Sequence, residues 1–315
     1  MTATRGEAPG EAWTIRRVLA WAVDDLKKRG FSSARLDAEL LLCHVLRIDR
    51  IKLLVDAERP LDKAELARYR ELFLRRRSGE PIAYLLGVRE FYGRPFRVDR
   101  RVLVPRPDTE TLVEVALART RHLDLAARVL DLCTGSGCVA ISLARERPTT
   151  CVLGLDLSPD AATVARENVV RLGATNCAIG VSDLFSALEG RSAVFDLITA
   201  NPPYIPEAEI DTLMVDVRGF EPRLALSGGA DGLVILRRIA EEAPRHLAPG
   251  GVLAVEVMAG QAPDVSALFA AQGFSAIEIQ KDLGGHERIV SGVWGQSPAR
   301  PGGAPIEETV WAGKP

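Results

Sequence analysis

The segment Asp131-Leu132-Cys133-Thr134-Gly135-Ser136-Gly137 decides the fold of this 315-residue chain. It closes a short apolar run at 128–132 that reads as a buried strand, and it opens a helix at about 138–147. Glycines at 135 and 137 let the backbone turn tightly and bring a ligand close to the following helix N-terminus. Working outward, strands are expected at 128–132, 151–157, 177–182, 194–200, 251–257, 275–281 and 288–294. Helices are expected at about 109–120, 138–147, 159–172, 232–243 and 261–271. This alternation predicts an α/β, Rossmann-like domain with a mostly parallel seven-stranded sheet covered on both faces. Only Asp282 to Glu287 joins the last two strands, too short a link for a helical crossover, so they should pair antiparallel.

The chain before this domain has a different character. Ile15, Val18, Leu19, Ala22, Val23 and Leu26 recur at helical spacing, and Gly30 stops the helix. Further helices are expected from about Ser33 to Leu46 and from Asp62 to Arg77, so residues 13–87 read as a small helical bundle. The run Arg75-Arg76-Arg77 reads as a solvated helix end, favourable at a helix C-terminus. Residues 88–104 hold β-prone pieces, Phe91 to Phe96, Val98 and Val102-Leu103-Val104, and read as a hairpin linker. Residues 105–295 form the α/β domain, 1–12 a flexible start, and 296–315 a mobile Pro/Gly-rich tail.

Composition excludes several classes. With 47% hydrophobic and 26% charged residues the chain is an ordinary globular protein, and no run of about eighteen apolar residues suggests a membrane span. The start carries no signal-peptide pattern, so a cytoplasmic location is expected. A net charge of −2 gives no global attraction to nucleic acid. The five cysteines, at 43, 133, 138, 151 and 177, read as buried thiols of a reducing compartment, and no ligand set for a metal is expected.

The strand ends carry the chemistry. Gly135, Gly137 and Ala140 satisfy a loose dinucleotide pattern, so the loop alone does not name a cofactor. Asp156, at the end of the second strand, suits ribose hydroxyls; Ser158-Pro159 caps the next helix; Asp183 closes the third strand beside an adenine or ribose edge. Asp131 would repel a pyrophosphate yet suits the ammonium of S-adenosylmethionine. The run from Ala193 to Ala200 ends in Asn201-Pro202-Pro203-Tyr204. The prolines stiffen this loop. The Asn201 side-chain oxygen and the Pro202 carbonyl can both accept from one planar NH2 group, with Tyr204 as a flat face beside it. By itself the tetrapeptide also fits a turn, or an enzyme acting on a flipped adenine.

Taken together, these segments resemble the peptide chain release factor N5-glutamine methyltransferases. The resemblance runs from about residue 13 to 295 and is carried by 81–87, 90–96, Val102-Leu-Val-Pro-Arg-Pro-Asp-Thr-Glu110, Asp131 to Gly137, Asn201 to Ile205 and Glu221 to Gly232. It implies a helical substrate-recognition domain, a hairpin linker and an S-adenosylmethionine-dependent methyltransferase domain. It implies that Cys133, Thr134, Gly135, Ser136, Gly137, Asp156, Asp183 and Leu184, with Asn201, hold the cofactor. Asn201, Pro202, Pro203 and Tyr204 would hold the glutamine of a Gly-Gly-Gln loop, with Asn201, Pro202 and Tyr204 the catalytic groups. The implied partner is a release factor, met by a monomer without direct nucleic-acid contact.

Four positions depart from the family pattern: Cys133 for glycine, Asp108 for glutamate, Leu184 for an aromatic and Met258 for glycine. The Cys-Thr-Gly-Ser-Gly-Cys loop is also similar to that of the sister enzymes acting on a large-subunit ribosomal protein. A DNA adenine methyltransferase would need a basic groove and a target-recognition domain, against which a net charge of −2 and a compact helical N-terminus argue; an adaptor without catalysis has no reason to keep the site, and a dehydrogenase leaves Asn201 to Tyr204 without a role.

Overall fold

The computed structural model describes residues 12–123, 127–190 and 194–295. The expectations for 1–11, for Ala193 and for the tail at 296–315 fall outside the described residues. The chain divides into two compact units at Leu86/Gly87.

The first unit is helical: α1 (Ile15–Lys28), α2 (Ala34–Leu46), α3 (Arg50–Val55), α4 (Lys63–Arg77) and α5 (Ile82–Leu86). Thr14 caps α1 by accepting from the Arg17 amide, and Asp62 and Glu65 form a reciprocal capping box on α4. Ile15, Val18, Ala22 and Leu26 bury one stripe of α1 in a core shared with Leu41, Leu42 and Phe73. Helices α3 and α5 are too short for a periodic signal. The Arg75–Arg77 run is a solvated end only in part: Arg75 is exposed and Arg77 half-buried, but Arg76 is not. Arg76 is buried, pairs with buried Asp37 at 2.7 Å and lies 4.4 Å from the Phe31 ring centroid. Arg75 pairs with Glu80 at 2.9 Å and Arg77 with Asp25 at 3.3 Å. An unpartnered charge would be costly in that interior, so the arginine brings its carboxylate with it.

The second unit begins with an antiparallel hairpin, β1 (Val88–Phe91) and β2 (Arg94–Arg97). Val102-Leu103-Val104, expected as part of the hairpin, forms no strand. Val102 and Val104 are buried, but Pro105 and Pro107 follow at once and remove the donors a ladder needs. The remaining elements are α6 (Glu110–Arg119), β3 (Arg128–Leu132), α7 (Cys138–Glu146), β4 (Cys151–Asp156), α8 (Pro159–Leu172) and β5 (Cys177–Val181). Then come β6 (Phe195–Ala200), the short α9 (Val215–Arg218), α10 (Val234–Glu242), β7 (Leu247–Glu256), α11 (Ala262–Ala271), β8 (Phe274–Lys281) and β9 (Glu287–Trp294).

Seven strands form one sheet in the order β5-β4-β3-β6-β7-β9-β8, with β9 antiparallel to both of its neighbours. Strand residues alternate between two cores, as the two-residue period of a strand requires. Leu130, Leu153, Ile198 and Leu253 face the cluster holding Leu236, Ile239 and Phe269, whereas Val129, Val152, Leu197 and Val252 face the one holding Leu112, Val113 and Ile141. One expectation for the thiols fails: Cys177 is buried, but Cys151 is exposed and the other three are half-buried.

Candidate functional site

The site follows from the strand order. β3 pairs with β6, placing Asp131 opposite Thr199 and Leu132 opposite Ala200. From there β3 leads outward to β4 and β5, and β6 leads the other way to β7. Loops that leave two such strands diverge and open a crevice at the carboxyl edge of the sheet. A cavity of about 240 Å³ occupies that edge, far beyond the roughly 10–15 Å³ one water needs. Cys133, Thr134, Gly135, Ser136, Asp156, Asp183, Leu184, Asn201 and Pro203 all reach its wall. Gly137, Pro202 and Tyr204 do not. Gly137 is the N-cap of α7, Pro202 is buried, and Tyr204 is turned to a partner on β7.

At the glycine loop, Gly135 and Gly137 sit at φ 55° and 80°, where glycine is strain-free. A Cβ on Gly137 would lie 2.9 Å from Ile141 Cδ1 and 3.3 Å from Ala165 Cβ, so the glycine also allows α7 and α8 to approach. Asp156 braces the loop: Oδ2 accepts from the Gly135 amide at 2.8 Å and Oδ1 from the Ser158 amide at 2.9 Å. Burial raises its pKa, and these two amides oppose that rise. Each carboxylate oxygen keeps a second lone pair for a ligand hydroxyl. Asn168 ties the loop to β2, donating to the Ser136 and Arg97 carbonyls and accepting from the Arg97 amide.

Asp131 reaches the cavity with both oxygens already engaged, Oδ2 by Thr134 Oγ1 at 2.6 Å and Oδ1 by Thr199 Oγ1 at 2.8 Å. Burial pushes it up to about 6 against those two bonds. Asp183 is half-exposed and pairs with Arg238 at 3.0 Å. Leu184 and Cys133 both adopt the left-handed region, φ 47° and 55°, which costs a residue with a Cβ about 1–2 kcal/mol. Burial raises the Cys133 thiol well above its ordinary value, which keeps it neutral. Leu157, Ala161 and Ile235 add apolar wall. A cofactor with an aromatic base, a ribose and an ammonium-bearing tail therefore finds apolar surface, acceptors at Asp156 and Asp183, and a carboxylate at Asp131.

The Asn201 end of the cavity is held by residues far apart in sequence. Asn201 Nδ2 donates to Thr109 Oγ1 at 3.1 Å. The Tyr204 hydroxyl donates to Glu256 Oε1 at 3.0 Å, and Gln261 Nε2 donates to the Tyr204 carbonyl at 3.0 Å. Burial pushes Glu256 up to about 7, with the hydrogen bond from Tyr204 and the nearby Thr109 hydroxyl favouring its charged form. Glycines close over the motif: a Cβ on Gly228 would lie 2.8 Å from the Pro203 carbonyl oxygen, and one on Gly232 2.4 Å from that of Tyr204. The polar residues of Pro-Asp-Thr-Glu110 each have a partner. Asp108 faces Arg288 at 3.7 Å, and Glu110 accepts from the Tyr92 amide at 2.8 Å. Just before them, Arg106 pairs with buried Glu221 at 2.7 Å.

Thr109, Glu256 and Gln261 are absent from the site residues expected from sequence, although Thr109 lies in the segment Val102 to Glu110 that carries the resemblance. For Glu256 a signal existed, since it is the one charged residue in the run Val252 to Met258, and a carboxylate buried in such a run needs partners. No histidine lines the cavity, and His246 stacks on Phe185 with ring centroids 4.6 Å apart. Among the described residues no group of His, Cys, Asp and Glu is arranged to hold a metal ion, and no helix is long and apolar enough to cross a membrane.

Comparison with known proteins agrees with this geometry. Residues 17–87 match the family model described as PrmC N-terminal domain, and residues 123–285 the one described as a methyltransferase domain. A release factor glutamine methyltransferase of Geobacter sulfurreducens is 45% identical over 282 residues, covering 90% of this chain and 97% of that protein. Its counterpart from Vibrio cholerae is 42% identical over 279 residues, covering 89% of this chain and 96% of that protein. Among solved structures, the hMettl16 catalytic domain in complex with MAT2A 3′UTR hairpin 6 superposes with a TM-score of 0.51 at 13% identity. It covers 74% of this chain and 82% of that one, a likeness of fold alone. With a glycine loop, Asn201 and Pro203 on one cavity, and relatives this similar over nearly their whole length, the chain belongs to the release factor glutamine methyltransferase family.

Proposed function

We propose that this protein methylates the side-chain nitrogen of a release factor glutamine, the one in the Gly-Gly-Gln loop, with S-adenosylmethionine as donor. The carrying observation is the state of Asn201. Its Nδ2 is taken by Thr109, and Oδ1 has no donor among the described residues. An amide held this way offers an acceptor at the cavity wall and nothing that repels an N–H.

The bound cofactor supplies an electrophilic methyl group. Cys133 to Gly137, Asp156, Asp183, Leu184 and Asn201 hold it in this reading: the loop by close backbone approach, Asp156 and Asp183 by accepting from hydroxyl or amine groups. Asn201 Oδ1 and the Pro202 carbonyl accept from the glutamine NH2 and fix its plane. Pro202 and Pro203 keep those acceptors from relaxing, and Tyr204 supplies the adjacent ring. A primary amide nitrogen is a weak nucleophile, because its lone pair is delocalised into the carbonyl. Two fixed acceptors favour the positive charge that develops on it as the new bond forms. The methylated nitrogen then gives up a proton readily, and the absence of histidine from the wall matches that requirement.

In this reading the reaction takes place in the cytoplasm, and the enzyme acts as a monomer that meets the release factor without binding nucleic acid directly. Mass spectrometry of release factors incubated with the protein and S-adenosylmethionine tests the proposal. One added methyl on the loop glutamine is expected. Methylation confined to a large-subunit ribosomal protein would overturn it.

A further inference from the structure

Glu256 does not line the cavity, yet it accepts from Tyr204 of the Asn-Pro-Pro-Tyr motif and keeps a buried oxygen, Oε2, without a donor among the described residues, while Thr109 accepts from Asn201. We infer that Glu256 is a positioning residue which, through the Thr109 hydroxyl, holds the Asn201 amide with Oδ1 turned toward the acceptor nitrogen. The inference rests on the role given to Asn201 above.

The oxygen and nitrogen of an asparagine amide have nearly the same shape, so only the polarity of its partners separates the two orientations. Here the partner is Thr109 Oγ1 at 3.1 Å, and a hydroxyl can give or take. Were its proton free, Thr109 could donate to Oδ1 of a flipped Asn201 and turn the NH2 group toward the substrate NH2, leaving donor against donor. The proton is directed elsewhere. Thr109 is 1% exposed, held by the 3-10 turn Pro107–Thr109, and lies within hydrogen-bonding influence of the Glu256 carboxylate. That carboxylate is also 1% exposed. Its Oε1 is taken by Tyr204, and its Oε2 has no donor in good geometry among the described residues. An ionised carboxylate only accepts, so it draws the Thr109 proton and leaves a Thr109 lone pair for Asn201 Nδ2.

Sheet register makes the arrangement possible. Ala200 on β6 lies opposite Val255 on β7, so the next residues, Asn201 and Glu256, leave adjacent strands side by side. The polarity then runs one way, from Asn201 through Thr109 to Glu256, with Tyr204 donating to the same carboxylate. One buried charge orients both the amide and the ring of the motif.

Other charged and titratable groups act on Glu256. Arg288 favours its ionised form and Asp108 opposes it; Arg288 is itself paired with Asp282 at 3.1 Å. Cys138, pushed up to about 12, stays a neutral thiol. Because burial puts Glu256 at about 7, the carboxylate gains a proton just below neutrality and can then donate, so the relay loses its direction. The turnover rate of the wild type therefore rises with pH through about 7.

The test compares Glu256→Gln, Thr109→Val and Thr109→Ser in methylation of a release factor glutamine. Glu256→Gln and Thr109→Val each lower kcat about tenfold, the worth of one directed hydrogen bond, and S-adenosylmethionine affinity stays within about twofold. Thr109→Ser, which keeps the hydroxyl, recovers most of the loss. The double variant is no worse than either single one, because both break the same relay. Glu256→Gln also flattens the pH dependence near 7. Wild-type rates and pH profiles in all three variants would overturn the inference. If the wild type methylates no release factor, the function proposed above fails instead. The relay is then judged on the Asn201 side-chain NH2 signals by NMR. A contact to the Thr109 methyl group that weakens in Glu256→Gln supports it, and one left unchanged overturns it.

Discussion

The two ends of the cavity are built differently. The glycine-loop end, proposed to hold the cofactor, is local: Cys133 to Gly137 follow one strand, and Asp156 reaches back from the next to hold the Gly135 amide. The Asn201 end joins Thr109, Asn201, Tyr204 and Glu256, drawn from a turn before the sheet and from two of its strands. The first end depends on backbone shape, which glycines and one carboxylate impose. The second depends on the direction of side-chain hydrogen bonds, which exists only once the sheet has formed. Damage to the first should therefore appear in binding, and damage to the second in turnover.

Asn201→Ala gives the sharpest break. In the proposed mechanism it removes an acceptor needed in the transition state, so a tritiated-methyl assay should show about a 100-fold or greater loss of kcat, with a much smaller fall in cofactor affinity by calorimetry. A parallel loss of affinity would join the two ends into one. Asp156→Ala should act the other way. Losing the carboxylate that holds the Gly135 and Ser158 amides should weaken S-adenosylmethionine binding about 10–100-fold, with kcat largely retained at saturating cofactor.

A smaller effect separates stability from turnover at the Asn201 end. Glu256 has a folded pKa of about 7, raised above an ordinary value of 4.5. A raised carboxyl pKa contributes stability that is complete below the ordinary value and disappears as pH rises through the folded one. The wild type thus loses this contribution between about pH 4.5 and 7, and Glu256→Gln does not. Thermal melts at pH 5 and pH 8 should show the difference in Tm, variant minus wild type, becoming more positive at the higher pH, although the variant is slower. A constant difference would mean that Glu256 does not titrate in this window. Smallest is Cys133→Gly, which removes a Cβ from a left-handed position. Relief of strain offset by backbone entropy leaves a gain of about 0.5–1 kcal/mol, visible as a Tm rise of a few degrees.

Legibility in the sequence follows the same division. Pro159 to Leu172 is the helix its apolar spacing predicts, and β3, β4 and β6 end where the runs at 128–132, 151–157 and 194–200 place them, to within a residue. The glycine loop, Asp156 and Asn201 could be found because each sits at a strand end, a position the sequence marks. Arg76 could not be read as buried, because its partner Asp37 is 39 residues away on another helix. Val102 to Val104 misled because burial, rather than a strand, selected its β-branched residues.

What the sequence determined by itself was the alternation of strands and helices, the glycine loop, and the placement of an amide beside two prolines. Those are consequences of local preference and of periodic burial, which act over a few residues at a time. The tertiary structure alone decided which way the Asn201 amide points. That direction depends on Thr109 and Glu256, brought beside it by parallel strand register, and no spacing along the chain encodes the polarity of a hydrogen bond between them.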